Sequence, residues 1–201
     1  MELKILPNVP LQPFGPASRE ALACGLTTFL QAAEHVANLP YGRNTDRADF
    51  HLVLNEHRGT CSTKHAFLAA LAEEQQLDVR LVLAIYEMND GNTPGVAAVL
   101  ERYGLRGLPE AHCVLLYKDQ IIDLTMPPDK SAGNGVREYF FKEVMRPEGI
   151  GNHKIEVHRQ ILAKWLLTEE VELSLEDAWR IREDCIHALS AIPTVRTTLH
   201  P

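Results

Sequence analysis

The 201-residue chain contains no apolar run approaching the ~18 residues that a membrane-spanning helix needs. Its first residues, Met1 to Pro7, lack the long apolar core of a secretory signal. These two absences make the cytoplasm the expected compartment and exclude a membrane partner. Lysine and arginine total 20 against 27 acidic residues, a net charge of −7, and the basic residues are scattered. No basic stripe exists of the kind that nucleic-acid binding requires, so that role is excluded as well. Cysteine is scarce: Cys24, Cys61, Cys113 and Cys185 lie far apart and in no C-x-x-C pattern. That spacing argues against a structural zinc site and against a disulfide framework, and reduced thiols are expected. His51, His57 and His65 have no recognised metal-ligand spacing. Neither a metal nor a cofactor is therefore expected. There is no internal repeat and no low-complexity block.

What is present describes an ordinary globular chain: 45% hydrophobic and 23% charged residues are enough to build one sizeable core, and a single domain over residues 1–201 is expected. Pro7, Pro10, Pro13 and Pro16 make the first sixteen residues an extended arm wrapping the surface. Ser18 reads as the N-cap of a helix running to about Asn38, where Pro40 ends it. A polar loop follows over residues 41–50, and His51 to Leu54 is too short to type. Asp78 to Met88 has the aliphatic, β-branched density of a strand central in a sheet. Thr93 as N-cap and Pro94 at the first helical position open a short helix that stops near Gly104. Ala111–Tyr117 and Gln120–Thr125 read as a hairpin turning at Lys118-Asp119. Met126 to Gly135 reads as a loop, and Val136–Met145 is either strand or helix. Helices are expected around His158–Leu167 and from Ser174 to about Ala191.

The chemistry concentrates in Arg58-Gly59-Thr60-Cys61-Ser62-Thr63-Lys64-His65. Helix-forming residues follow it, with Lys64, Phe67, Leu68 and Leu71 on one stripe, so Cys61 is expected in the first turn of a helix entered through Gly59. Unpaired amides and a positive dipole end there favour a thiolate. The dipole contributes roughly 0.3–1 kcal/mol, up to ~2 when partly buried, against ~1.36 kcal/mol per pKa unit. That is too little to bring a free-cysteine pKa of ~8.5 into the catalytic range, so a histidine from elsewhere is required. Cys24, Cys113 and Cys185 are expected to be packing residues, and His65 a surface-facing helix residue.

The hairpin supplies the histidine. Across a two-residue loop Tyr117 faces Gln120, and strand alternation then puts His112 and Asp123 on the same face, diagonal neighbours about 7–8 Å apart between Cα atoms. Cys113, Leu115, Ile122 and Leu124 occupy the opposite, apolar face. Cys61, His112 and Asp123 together are the residue types of a thiol nucleophile, its base and the carboxylate that orients the base.

Gly59-Thr60-Cys61, Ala111-His112-Cys113 with Val114-Leu115-Leu116, and Ile122-Asp123-Leu124-Thr125, in that order, resemble the transglutaminase-like superfamily of papain-like thiol enzymes. Val114 stands where that family carries an aromatic residue. The resemblance covers roughly residues 40–126. It implies an α+β fold with a papain-like core, in which the Cys61 helix packs on a small antiparallel sheet and further helices are terminal. It implies Cys61, His112 and Asp123 as the catalytic triad, and Asn55 as an oxyanion candidate, because papain-like enzymes place a glutamine six residues before their cysteine. The activity implied is thiol-dependent acyl chemistry on a small-molecule, peptide or protein amide, through a covalent thioester resolved by water or by an amine. A catalytically inactive binding or scaffold domain of the same fold is the alternative. Arg58-Gly59 also resembles the arylamine N-acetyltransferases, whose chains are longer.

Overall fold

The computed structural model describes residues 2–126 and 138–190. Strand β1 (Arg80–Met88) lies inside a four-stranded antiparallel sheet, between β2 (Leu108–Tyr117) and β4 (Tyr139–Met145), and the short β3 (Gln120–Ile122) forms the edge beyond β2. Its central position follows from composition, since residues 81–86 are all buried and a strand covered on both faces tolerates little but apolar side chains. Lys118 (φ 48°) and Asp119 (φ 60°) form the tight turn between β2 and β3. Two successive positive φ values match the right-handed twist of the flanking strands. The turn pairs Tyr117 with Gln120 and Leu115 with Ile122, the register that parity required.

Seven α-helices are present among the described residues: α1 (Pro16–Ala23), α2 (Phe29–Asn38), α3 (Leu52–Asn55), α4 (Cys61–Glu74), α5 (Ala97–Arg102), α6 (Asn152–Thr168) and α7 (Leu175–Ser190). Helix α4 packs against β1 and β2 and forms the centre of the core. Phe67, Leu68 and Leu71 meet Leu81, Leu83, Cys113 and Leu115 there, with Phe29 and Val36 of α2 behind them. Eleven of the fourteen residues of α4 are buried, so it is enclosed on nearly all sides and carries no single apolar stripe. Helix α6 packs on β2 and on α7, and α7 also packs on α5. The molecule is thus α+β, with the Cys61 helix against a small antiparallel sheet. Among the described residues no helix is long and apolar enough to cross a membrane.

Several local expectations are corrected. The helix expected from Ser18 to Asn38 is two, because Gly25 takes φ +77° and Thr28 starts a new helix. The Gln31 N–H donates to Thr28 Oγ1 (3.2 Å) and the Thr28 N–H to Gln31 Oε1 (3.3 Å). Ser18 lies within α1 rather than capping it. The Ala17 and Ser18 amides donate instead to the Glu74 carboxylate at the far end of α4, at 2.9 and 2.7 Å. The N-terminal arm contains a 3₁₀ turn at Glu2–Ile5 and is partly core, since Leu6 and Leu11 are buried. It is held by Leu11 N–H to Thr27 O (2.9 Å) and Phe29 N–H to Val9 O (3.0 Å). Helix α5 begins after Val96, not at Pro94, because the Asp90 carboxylate accepts from Gly95 and Ala97 N–H while Thr93 is drawn to the Tyr86 hydroxyl (3.0 Å). Tyr139–Met145 resolves as strand, and Met126 alone of the loop expected from Met126 to Gly135 is among the described residues.

Phe67 has no solvent exposure and Phe14 is 69% exposed. Phe67→Ala is expected to destabilise the fold by about 3–5 kcal/mol, and Phe14→Ala by less than about 0.5 kcal/mol, measured by equilibrium denaturation.

Candidate active site

The start of α4 is built by contact, not by strain. A Cβ on Gly59 would lie 2.9 Å from Lys64 Cγ and 3.0 Å from Thr63 Oγ1. Glycine is therefore required for close approach and not for a turn needing positive φ. The Thr60 N–H donates to Thr63 Oγ1 (3.1 Å), whose hydroxyl donates to Asn44 Oδ1 (2.8 Å), and this fixes the polar 41–50 loop against the helix. The first intrahelical bond is Lys64 N–H to Thr60 O at 3.0 Å, so the amides of Cys61, Ser62 and Thr63 precede the helical ladder.

Two side chains of this first turn then determine where β3 ends. Lys64, fully buried, donates from Nζ to Leu39 O (2.6 Å) and Thr125 O (2.9 Å). Burial, offset in part by the charges of Asp123 and Cys61, brings its pKa down to about 8. His65, expected at the surface, is also fully buried. Its Nε2 accepts the Leu124 N–H (2.8 Å), so Nδ1 carries the proton and donates to Cys61 O (2.8 Å). Burial pushes the imidazole pKa down to about 4, which keeps this neutral tautomer in place. Because α4 takes these backbone groups of residues 124 and 125, the β2–β3 ladder stops at Ile122 instead of continuing to Thr125.

Beyond that point the Asp123 side chain returns to β2. His112 Nε2 donates to Asp123 Oδ2 at 2.8 Å, and the Thr125 N–H donates to the second carboxylate oxygen at 2.9 Å. The His112 imidazole and the Cys113 amide also act on the Cys61 thiol, and both favour its charged form. The structure thus brings together all three residues expected from the sequence. Burial by itself raises the Cys61 pKa, but the Lys154 ammonium, then the charge and hydrogen bond of His112, then the Cys113 amide outweigh it and hold the thiol at about 6. Burial lowers His112, and the Asp123 carboxylate and the Cys61 thiolate outweigh it, so the imidazole is held up at about 9. Opposed shifts of this kind describe a thiolate beside an imidazolium.

Cys61 opens into a cleft of about 600 Å³ between the 41–48 segment, the start of α4, and helices α6 and α7; His112 is not among its lining residues. Tyr41, half-buried, lines it near the thiol; burial and the charges of Cys61 and Glu110 hold its phenol protonated. Glu110 and Arg182 form a buried bidentate pair across it, with Nε to Oε2 and Nη2 to Oε1 both 2.7 Å. Burial raises the Glu110 pKa, but the Arg182 charge and hydrogen bond overcome it and hold the carboxyl down at about 2. The guanidiniums of Arg159 and Arg182 lie over the Trp179 ring, 5.3 and 5.5 Å from its centre. Lys154, from α6, is buried in the same cleft and donates from Nζ to Ser62 Oγ at 2.7 Å.

Asn55 is not part of this arrangement. It is exposed and does not line the cleft, because α3 turns Val53 and Leu54 into the core and leaves Asn55 outside. Cys24, expected to pack, is exposed just beyond α1, whereas Cys113 and Cys185 are buried. Sequence reasoning missed Lys154, Tyr41 and the Glu110–Arg182 pair, which come together only across long stretches of chain. It did place Lys64 on an apolar stripe, and a lysine there was a signal of a buried, paired cation. No family model, curated protein or solved structure matches the chain.

Iodoacetamide labelling of Cys61 is expected to rise with a midpoint near pH 6 and to exceed that of the more exposed Cys24 at pH 7. His112→Ala should move that midpoint toward the ~8.5 of a free thiol; peptide-resolved labelling against pH reads both, and a midpoint unmoved by the substitution would contradict the pairing. Glu110→Ala, which leaves Arg182 with Glu183 as its remaining carboxylate, should cost about 1–3 kcal/mol of stability in chemical denaturation.

Proposed function

We propose that this protein carries out thiol-dependent acyl chemistry, hydrolysing or transferring the acyl group of an amide or peptide, on a papain-like core of the transglutaminase-like type. The observation that carries the reading is one imidazole coupled to two partners: His112 bonds the Asp123 carboxylate from Nε2 at 2.8 Å, and its charge acts on the Cys61 thiol. A core packing cysteine needs neither partner. The order of the elements supports the fold assignment, with a cysteine opening the helix on the sheet, a histidine on β2 and an aspartate at the end of β3.

Each residue then has a definite role. Cys61 attacks the carbonyl carbon as thiolate, and the C–S bond forms as the carbonyl electron pair moves onto oxygen. His112, charged in the resting state, gives its proton to the departing amine as the C–N bond breaks. Asp123 accepts from His112 Nε2, which leaves Nδ1 toward the sulfur and stabilises the imidazolium. His112, neutral after the first step, takes a proton from the water or amine that resolves the thioester.

The pH dependence follows from these two groups. Below about 6 the nucleophile is protonated, and above about 9 the proton donor is lost. Acylation by an amide is therefore expected to follow a bell between those values. Acylation by p-nitrophenyl acetate, whose phenolate leaves without a proton, should rise near pH 6 and stay level. Rapid release of one equivalent of nitrophenolate, with an acetyl group recovered on the Cys61 peptide by mass spectrometry, is the direct test. Asp123→Ala should slow it, Cys61→Ala should abolish it, and the absence of any acetylated Cys61 peptide in the wild-type protein would refute the reading.

A further inference from the structure

Lys154 is a cation with an incomplete set of partners. It lies at the start of α6, is 92% removed from solvent, and lines the cleft beside Cys61. Of the three protons of an ammonium, one is accounted for by the bond to Ser62 Oγ at 2.7 Å. Among the described residues no carboxylate stands within ion-pair distance of it. The other buried cations of the site differ: Arg182 holds Glu110 bidentately and reaches Glu183, and Lys64 is satisfied by two carbonyls. A buried charge left without a counter-ion is costly. Hydrogen bonding to a neutral hydroxyl does not cancel it. The anion whose charge acts on it most strongly is the Cys61 thiolate, ahead of Cys113 and Glu110, and Ser62 Oγ, its hydrogen-bond partner, lies 3.9 Å from that sulfur.

We propose that Lys154 is a catalytic residue, whose ammonium takes up the negative charge that develops on the substrate's carbonyl oxygen when Cys61 attacks. The inference rests on the acyl reading above and extends it to the part of the site that sequence reasoning assigned to Asn55. In the resting enzyme the ammonium is held on Ser62 Oγ, which lies 3.9 Å from the Cys61 sulfur. As the C–S bond forms, the negative charge leaves sulfur and reappears on the carbonyl oxygen. A preorganised donor that follows the charge from one atom to the next stabilises the transition state without reorganisation. The Cys61 amide, ahead of the helical ladder, is a second donor in the same turn. Ser62 holds the ammonium toward the start of α4 and leaves its other protons for the oxyanion. When the tetrahedral adduct collapses, the C=O bond re-forms, the leaving group departs with the C–N or C–O electron pair, and the ammonium keeps all its protons.

Two reagents separate this role from a purely resting-state effect on the thiol. Iodoacetamide alkylates sulfur by displacing iodide and forms no oxyanion, whereas p-nitrophenyl acetate passes through one. Rate constants per thiolate are taken from the plateaus of the pH profiles of wild type, Lys154→Met and Lys154→Arg. The expected result is a fall of about 10²–10³ in acylation by p-nitrophenyl acetate for Lys154→Met, with alkylation per thiolate changed by no more than a few-fold and Lys154→Arg intermediate. Equal changes in both reactions, or unchanged acylation, would overturn the proposal and leave Lys154 as a group that only sets the thiol pKa. Wild-type Cys61 acylating no faster than Cys24 would overturn the acyl reading and this proposal with it. Should Lys154→Met fail to fold by circular dichroism, Ser62→Ala decides. Without the hydroxyl that aims the ammonium, acylation should fall several-fold while alkylation holds, and acylation at the wild-type rate would count against the role.

Discussion

The fold depends on how Lys64 and His65 dispose of the backbone that follows β3. Two buried polar side chains in the first turn of a core helix would be expensive without partners. Here they are satisfied by Leu39 O, Thr125 O, Leu124 N–H and Cys61 O. The backbone groups at residues 124 and 125 are satisfied in the same contacts, so ending the strand at Ile122 leaves neither of them without a partner. The result is geometric. The segment carrying Asp123 is tied to the turn carrying Cys61, and the aspartate is left beside His112 instead of across the ladder from Val114.

A second constraint is electrostatic. The site gathers charges that would not be stable in isolation, and most are matched locally: Glu110 with Arg182 and Glu183 with Arg43 and Arg182 in the cleft, and Asp123 with His112 beside it. Removing either half of such a pair is costly because the other half remains buried, which makes the cleft rigid as well as polar. Among the described residues Lys154 has no carboxylate within ion-pair distance, and it donates instead to Ser62 Oγ beside Cys61.

Rigidity is reinforced from the far side of α4. Glu74, at its C-terminal end, accepts the first amides of α1, and a Cβ on Gly15 would collide with that carboxylate. The helix bearing Cys61 is thereby anchored at both ends, by α1 at its end and by the strand terminus at its start. Packing of Phe67, Leu68 and Leu71 fills the space between. An active-site group held by close packing and secondary hydrogen bonds keeps its geometry without strain of its own.

By itself the sequence determined what short-range physics controls. Strand alternation and a two-residue turn were enough to set the register of β2 on β3 as far as Ile122, and a glycine before a helix-forming run was enough to put Cys61 at a helix start. The central strand at Arg80–Met88 was legible because nothing but apolar residues tolerates two covered faces. Tertiary structure decided the rest. Whether Ser18 or Thr28 began a helix turned on a glycine conformation and on a carboxylate 56 residues away. His65 looked like a surface residue because its partners, the residue 61 carbonyl and the residue 124 amide, are backbone groups without a sequence signature. Asn55 was chosen by its distance from Cys61 along the chain and Lys154 was overlooked, yet the fold turns the first outward and buries the second beside Ser62. Spacing governs contacts within one helix or hairpin, but a charge delivered from 92 residues away is placed only by the packing of α6 on β2.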